Sequence, residues 1–286
     1  MAIVVKLTYI CVKRNNYKMN ATELFNTLWN NYSFITPSAP KVKELFESKG
    51  EKVFNDHIAF RTLNDSRLNK ERVSAYLLEL GFVNGGTYNF PEKKLVANHF
   101  YHPTNADLPK VFISELMMEE FSETTQAILR NVLNEVNWDN LNPLTFLTGG
   151  RLWSLPSHEL YQTLRNESEY AAWFYLYGFT ANHFTVDVNK LTSLDSLLDV
   201  NNFLEDNTYR LNASGGKIKG DKDVYLEQSS TIADLRPMNF EEGVFEVPTC
   251  FYEFAYRHNM ENGELFQGFV AASANKIFES TDLSLQ

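Results

Sequence analysis

Apolar positions recur at helical spacing in some stretches of the chain and alternate at strand spacing in others, and the two patterns follow each other twice in the same order. "NATELFNTLWNNY" places Leu24, Phe25 and Leu28 on one helical face, with Asn20 or Thr22 near the cap. "SAPKVKELFESKG" predicts a second helix, with Pro40 in its first turn and Gly50 at its end. "FNDHIAFRTL", residues 54–63, alternates as a strand. "NKERVSAYLLELGF" then predicts a helix burying Val73, Tyr76, Leu77 and Leu80, followed by strands in 94–103 and 110–118. Residues 122–136 form an amphipathic helix with Ser122 as N-cap, and 155–177 one or two more. The opening order then returns. A strand over 180–189 precedes a helix in "SLDSLLDVNNFLEDN" and strands in "YRLN", "DVYLEQSST" and "TCFYEFAYR". "ASGGKIKGDKD" (213–223) is the clearest turn-rich segment.

This order implies an α+β fold of two βαβββ-like units, roughly 54–118 and 179–257, separated by a helical insert at 122–177. The repeat is one of element order, with no residue-level repeat evident. Two such units can pair their sheets into one curved mixed sheet around a cleft. Residues 20–286 are expected to form a single domain, and 1–19 a flexible extension with Met19 as the natural beginning. The N-terminal apolar run is broken by Lys6, lacks a small-residue cleavage site and is too short to span a membrane. No other run is long enough to span, so no membrane partner is expected.

Composition narrows the classes. Of 286 residues, 44% are hydrophobic and 22% charged, as in globular chains, and aromatics reach 14%. The net charge of −10 disfavours nucleic acid as a partner but permits a locally basic pocket for an acidic substrate. Cys11 and Cys250 make neither a CxxC nor a disulfide framework, which suits reduced thiols in the cytoplasm.

Candidate chemistry sits on the strands. In a strand, His57, Ala59 and Arg61 share one face; an imidazole and a guanidinium there are wet, paired or functional. His183 shares a face with Thr185 and Asp187, and Glu253 with Phe251, Ala255 and Arg257. Singly, each reads as a structural or surface residue. Together they stand at matched points of the repeated order, where paired units converge. Two imidazoles and one carboxylate form a facial triad with three open positions, which suits non-haem Fe(II), with Mn, Co, Ni or Zn as stand-ins in a purified sample. A zinc hydrolase with the same ligand types would carry HExxH, which is absent. His99 and His102 are rival ligands, read as structural or rim residues, and His158 and His258 as surface residues. For Arg61 the alternative is a salt bridge to Asp56 or Asp65.

At "NDHIAFRT", "NHFTVDVN" and "YEFAYR" the chain resembles the 2-oxoadipate dioxygenase/decarboxylase family, itself distantly similar to vicinal-oxygen-chelate enzymes. The likeness extends over roughly residues 20–281, through "GFVAASANKIFEST". It implies a vicinal-oxygen-chelate-like fold and Fe(II) held by His57, His183 and Glu253, with Arg61 as the catalytic, substrate-binding arginine. It also implies a 2-oxo dicarboxylic acid and O2 as partners, with release of CO2 and formation of 2-hydroxyglutarate from 2-oxoadipate. Arg257, on the face of Glu253, is the next candidate for substrate binding. Two other readings stay open: a metal-dependent isomerase or lyase on the same fold, and a non-catalytic metabolite-binding module. Oligomeric state is not legible.

Overall fold

The structure, a computed structural model, describes residues 18–271, 273 and 277. The expected extension at 1–19 lies outside these residues except for Lys18 and Met19, as does most of the tail beyond 271.

α1 (Ala21–Ile35) starts with a capping box: the Asn20 side chain accepts from the Glu23 amide, and the Glu23 carboxylate accepts from the Asn20 amide. α2 (Ser38–Ser48) follows, then the first unit: β1 (Asn55–Leu63), α3 (Lys70–Glu79), β2 (Val83–Phe90), β3 (Leu95–Tyr101) and β4 (Lys110–Leu116). The insert holds α4 (Glu123–Asn134), α5 (Thr145–Thr148), α6 (His158–Glu167) and α7 (Glu169–Tyr177). The second unit comprises β5 (Ala181–Asp187), α8 (Leu197–Asp206), β6 (Lys219–Asp221), β7 (Leu226–Ser230) and β10 (Phe251–Arg257). A separate hairpin of β8 (Leu235–Phe240) and β9 (Gly243–Pro248) stands between β7 and β10.

The strand order β2-β3-β4-β1-β5-β10-β7-β6 reads the same from either edge once units are matched. β1 lies parallel to β4 as β5 does to β10, and β1 meets β5 antiparallel at the seam. This is the expected pair of βαβββ units in one mixed sheet. The structure departs from the sequence expectations locally. "YRLN" is no strand and makes one bridge, Leu211 to Thr231. The turn-rich segment contains the short strand β6, and neither β2 nor the β8–β9 hairpin was expected.

One sheet face carries Ile58, Phe60, Phe184, Tyr252 and Phe254, all buried. α1 covers it through Trp29 and Tyr32, whose rings lie 5.2 and 4.8 Å from Phe184. α2 adds Phe46, 6.0 Å from Phe254. The other face carries the candidate residues. No described helix is long and apolar enough to cross a membrane.

Candidate metal centre

The seam strands place two histidines by a short repeat that only their pairing reveals. "NDHIAF" in β1 and "ANHFTV" in β5 both set an Asx residue before the histidine and an apolar residue after it. In each copy the Asx side chain accepts from the Nδ1–H of the following ring. His57 reaches Asp56 at 2.7 Å and His183 reaches Asn182 at 3.1 Å. Each pair therefore holds its imidazole in the tautomer whose Nε2 lone pair points inward. The "[DN]H" signal was readable in the sequence and was missed there.

Register explains the third group. Ala59 pairs with Phe112 across β1 and β4, and Thr185 pairs with Glu253 across β5 and β10. Phe112 is thus the counterpart of Glu253 in the first unit. The symmetric fourth position carries a ring instead of a carboxylate, so the donors number three and lean to one side.

His57, His183 and Glu253 each offer a ligand atom within 4.8 Å of the others. His57 Nε2 lies 3.5 Å from Glu253 Oε1, and His183 Nε2 lies 3.2 Å from Oε2. The rings stand edge to face, with centroids 5.5 Å apart. Gln228 donates to Oε1 at 2.6 Å, and the Thr185 hydroxyl lies 3.1 Å from His57 Nε2. Exposure is 2% for His57, 4% for His183 and 0% for Glu253.

Electrostatics fit a cation here. Burial raises the Glu253 pKa, offset in part by His57 and the Gln228 hydrogen bond. Burial drives the His183 pKa well below the usual imidazole range, and nearby His57 and Arg61 push it the same way. A neutral imidazole supplies a lone pair and no compensating charge. Glu253 Oε2 accepts no hydrogen bond. A buried carboxylate facing two imidazole lone pairs, one at each oxygen, is costly alone and matched by a divalent metal.

The remaining candidates separate. Arg61 is buried on the face of His57, but neither Asp56 nor Asp65 is its ion-pair partner: its Nη1 donates to Glu169 at 3.2 Å. Its guanidinium lies over the rings of Tyr170 (4.9 Å) and Trp173 (5.1 Å). Arg257 grips Asp56 with a fork, Nε to Oδ2 at 2.6 Å and Nη2 to Oδ1 at 2.8 Å. Burial works to raise the Asp56 pKa, yet Arg257 and the His57 hydrogen bond hold it well below the usual carboxylate range. The structure therefore places Arg257 behind His57 as the outer partner of Asp56. His99 bonds the Tyr88 hydroxyl at 2.9 Å, with its pKa pushed down to about 4 by burial and by Lys110, Arg257 and His57. His102 packs edge-on against Phe82, and His158 stacks on Phe245 at 3.7 Å. His258 pairs with Glu227 at 3.1 Å. A groove of about 380 Å³ lined by Ile128, Trp153, Leu160 and Tyr175 shares no residue with the triad, so donor chemistry and not volume locates the centre.

Comparison with known proteins identifies the family. A family model described as 2-oxoadipate dioxygenase/decarboxylase matches residues 20–266. The chain is 34% identical to the 2-oxoadipate dioxygenase/decarboxylase, chloroplastic/amyloplastic, of Oryza sativa subsp. japonica, over 91% of this chain and 79% of that protein. Among solved structures, the Oryza sativa hydroxyglutarate synthase in complex with 2-oxoadipate is 32% identical with a TM-score of 0.87, covering 93% of this chain and 92% of its own. A Shewanella frigidimarina protein provisionally described as a hydrolase is 44% identical with a TM-score of 0.83, covering 88% and 98%.

Proposed function

Because this chain belongs to the 2-oxoadipate dioxygenase/decarboxylase family, we propose that it converts a 2-oxo dicarboxylic acid, 2-oxoadipate foremost, with O2 into 2-hydroxyglutarate and CO2. The balance closes without a second 2-oxo acid: one oxygen atom enters the new carboxylate and the other the hydroxyl. The observation that carries the reading is the convergence of His57, His183 and Glu253 from both units, with one carboxylate oxygen left without a hydrogen bond. The rice relative with 2-oxoadipate bound supports the substrate class.

Fe(II) held by these three residues would supply the redox chemistry and leave positions for a chelating 2-oxo acid and O2. Asp56 and Asn182 keep the Nδ1 protons and hold both rings in place. Gln228 fixes the carboxylate of Glu253. Arg61, catalytic and substrate-binding in this reading, presents a planar fork to a substrate carboxylate, oriented by the rings beneath it. Phe251, stacked 4.8 Å from His183, helps exclude water. The proposed domain is the whole chain from residue 20 onward, and the proposed location is the cytoplasm. The buried free thiol of Cys250 suits that reducing compartment, as it would the plastid of the rice relative's name.

The test is oxygen uptake by Fe(II)-loaded protein against a series of 2-oxo acids. Uptake matched by CO2 release, greatest with 2-oxoadipate, is expected. Turnover without oxygen would favour the isomerase or lyase reading. In parallel, His57→Ala, His183→Ala and Glu253→Ala are each expected to lose metal and turnover while keeping a cooperative melt. Full metal stoichiometry in any one would show that its residue is no ligand.

A further inference from the structure

Beyond β10 the chain turns back across the sheet. Asn259 bridges Leu265, and the Phe266 amide donates to the His258 carbonyl at 3.0 Å. Arg257, whose Nε and Nη2 hold Asp56, donates through Nη1 to the carbonyls of Phe266 (3.2 Å) and Gly268 (2.7 Å). The Phe269 amide lies 3.2 Å from the Tyr88 hydroxyl and donates to it. These tethers drive the Phe269 ring into the cleft. It stands edge-on to His57 at 4.8 Å and packs on Phe112 at 4.9 Å and His99 at 5.3 Å. The Arg257 guanidinium lies 5.3 Å from the same ring. Phe269 is 8% exposed although it belongs to no helix or strand.

The triad is almost wholly buried, so a ligand reaches Nε2 of His57 only if a covering group moves. The strands are held by ladders and α7 by its helical bonds. The 265–270 segment lies outside any helix or ladder, held by one bridge at Leu265, the Phe266 amide on the His258 carbonyl and the contacts of Arg257 and Tyr88, and such segments open most readily. Phe112, in the place of a fourth ligand, and Phe269 together make an apolar wall beside the metal position.

We propose that Leu265–Val270 is a strap closing the cleft, and that Phe269 is its gate and the residue that limits the length of the 2-oxo acid. The length limit rests on the function proposed above; the gate does not. Arg257 is the positioning residue that joins strap to ligand, through Asp56 on one side and the two carbonyls on the other.

The experiment uses full-length wild type, Phe269→Ala and Phe269→Leu, each loaded with Co(II). Extraction by excess chelator is followed by the Co(II) absorption. Phe269→Ala is expected to release metal about tenfold faster or more, with Phe269→Leu between. With Fe(II), the kcat/KM ratio of 2-oxopimelate to 2-oxoadipate is expected to rise in Phe269→Ala by about tenfold or more, the usual discrimination for one methylene in an apolar pocket. Equal extraction rates in the three proteins would overturn the gate, and an unchanged length ratio the length limit. If Phe269→Ala does not fold, Phe269→Leu decides both. If wild type consumes no oxygen with any 2-oxo acid, the function reading and the length limit fall together, while extraction still decides the gate.

Discussion

Arg61 and Asp56 show how little the type of a residue says until its partners are known. Arg61 is a buried cation lying over two aromatic rings and paired with Glu169, whose own side chain is about a third exposed. The charge can be kept without the fork. Arg61→Lys is therefore expected to retain metal but lose about 2–5 kcal/mol of transition-state stabilisation, read as kcat/KM for 2-oxoadipate. Near-wild-type turnover would return Arg61 to a structural role. Asp56 carries two duties, and the second histidine separates them. Asn182 orients His183 with no charge at all, so Asp56→Asn should still orient His57. Metal affinity is then expected to fall by only about tenfold, at the low end for an outer-shell change. The same variant leaves Arg257 buried without its anion, so stability in urea should drop by about 3–5 kcal/mol. A large affinity loss with unchanged stability would reverse this assignment.

At the scale of elements, legibility follows burial. β1, β4, β5 and β10 each bury side chains on both faces, and all were expected from their pattern. β2 reads "VNGGTYNF" and is mostly exposed at the sheet edge, so neither apolar alternation nor propensity marked it. β8 and β9 are equally exposed, and Pro237 sits inside β8. The triad was legible because the histidines and the glutamate fall at matched points of a repeated order. The role of Arg257 was not, because strand-face reasoning cannot see a partner 201 residues away. Phe269 was invisible for the same reason: its segment has no periodicity and its contacts are all long-range. The glycines of β2 also carry a meaning that a turn rule misses. A Cβ on Gly85 would lie 2.1 Å from His99 Nε2, and that ring is confined by Tyr88 and Phe269. Gly85→Ala is thus an overpacking change, expected to cost about 1–3 kcal/mol in a urea melt. An unchanged melt would show that the His99 ring can swing aside.

For the whole molecule, the decisive feature is the seam. Two βαβββ units meet at one antiparallel pair, β1 with β5, and the candidate donor set crosses it: His57 from the first unit, His183 and Glu253 from the second. A metal bound there ties the units together, and the unfolded chain cannot offer three residues so distant in sequence at one point. Binding to the native state alone stabilises it by RT ln(1 + [L]/Kd), about 4 kcal/mol at a thousandfold excess of metal over Kd. Loading Co(II) or Fe(II) anaerobically should therefore raise the melting temperature, and chelator should lower it, by on the order of 10 °C. His57→Ala tests the cross-seam origin. Its melting temperature should no longer respond to metal, because His183 and Glu253 alone lie within the second unit. If metal stabilised His57→Ala as much as wild type, the ion would be held by one unit only, and the seam would owe it nothing.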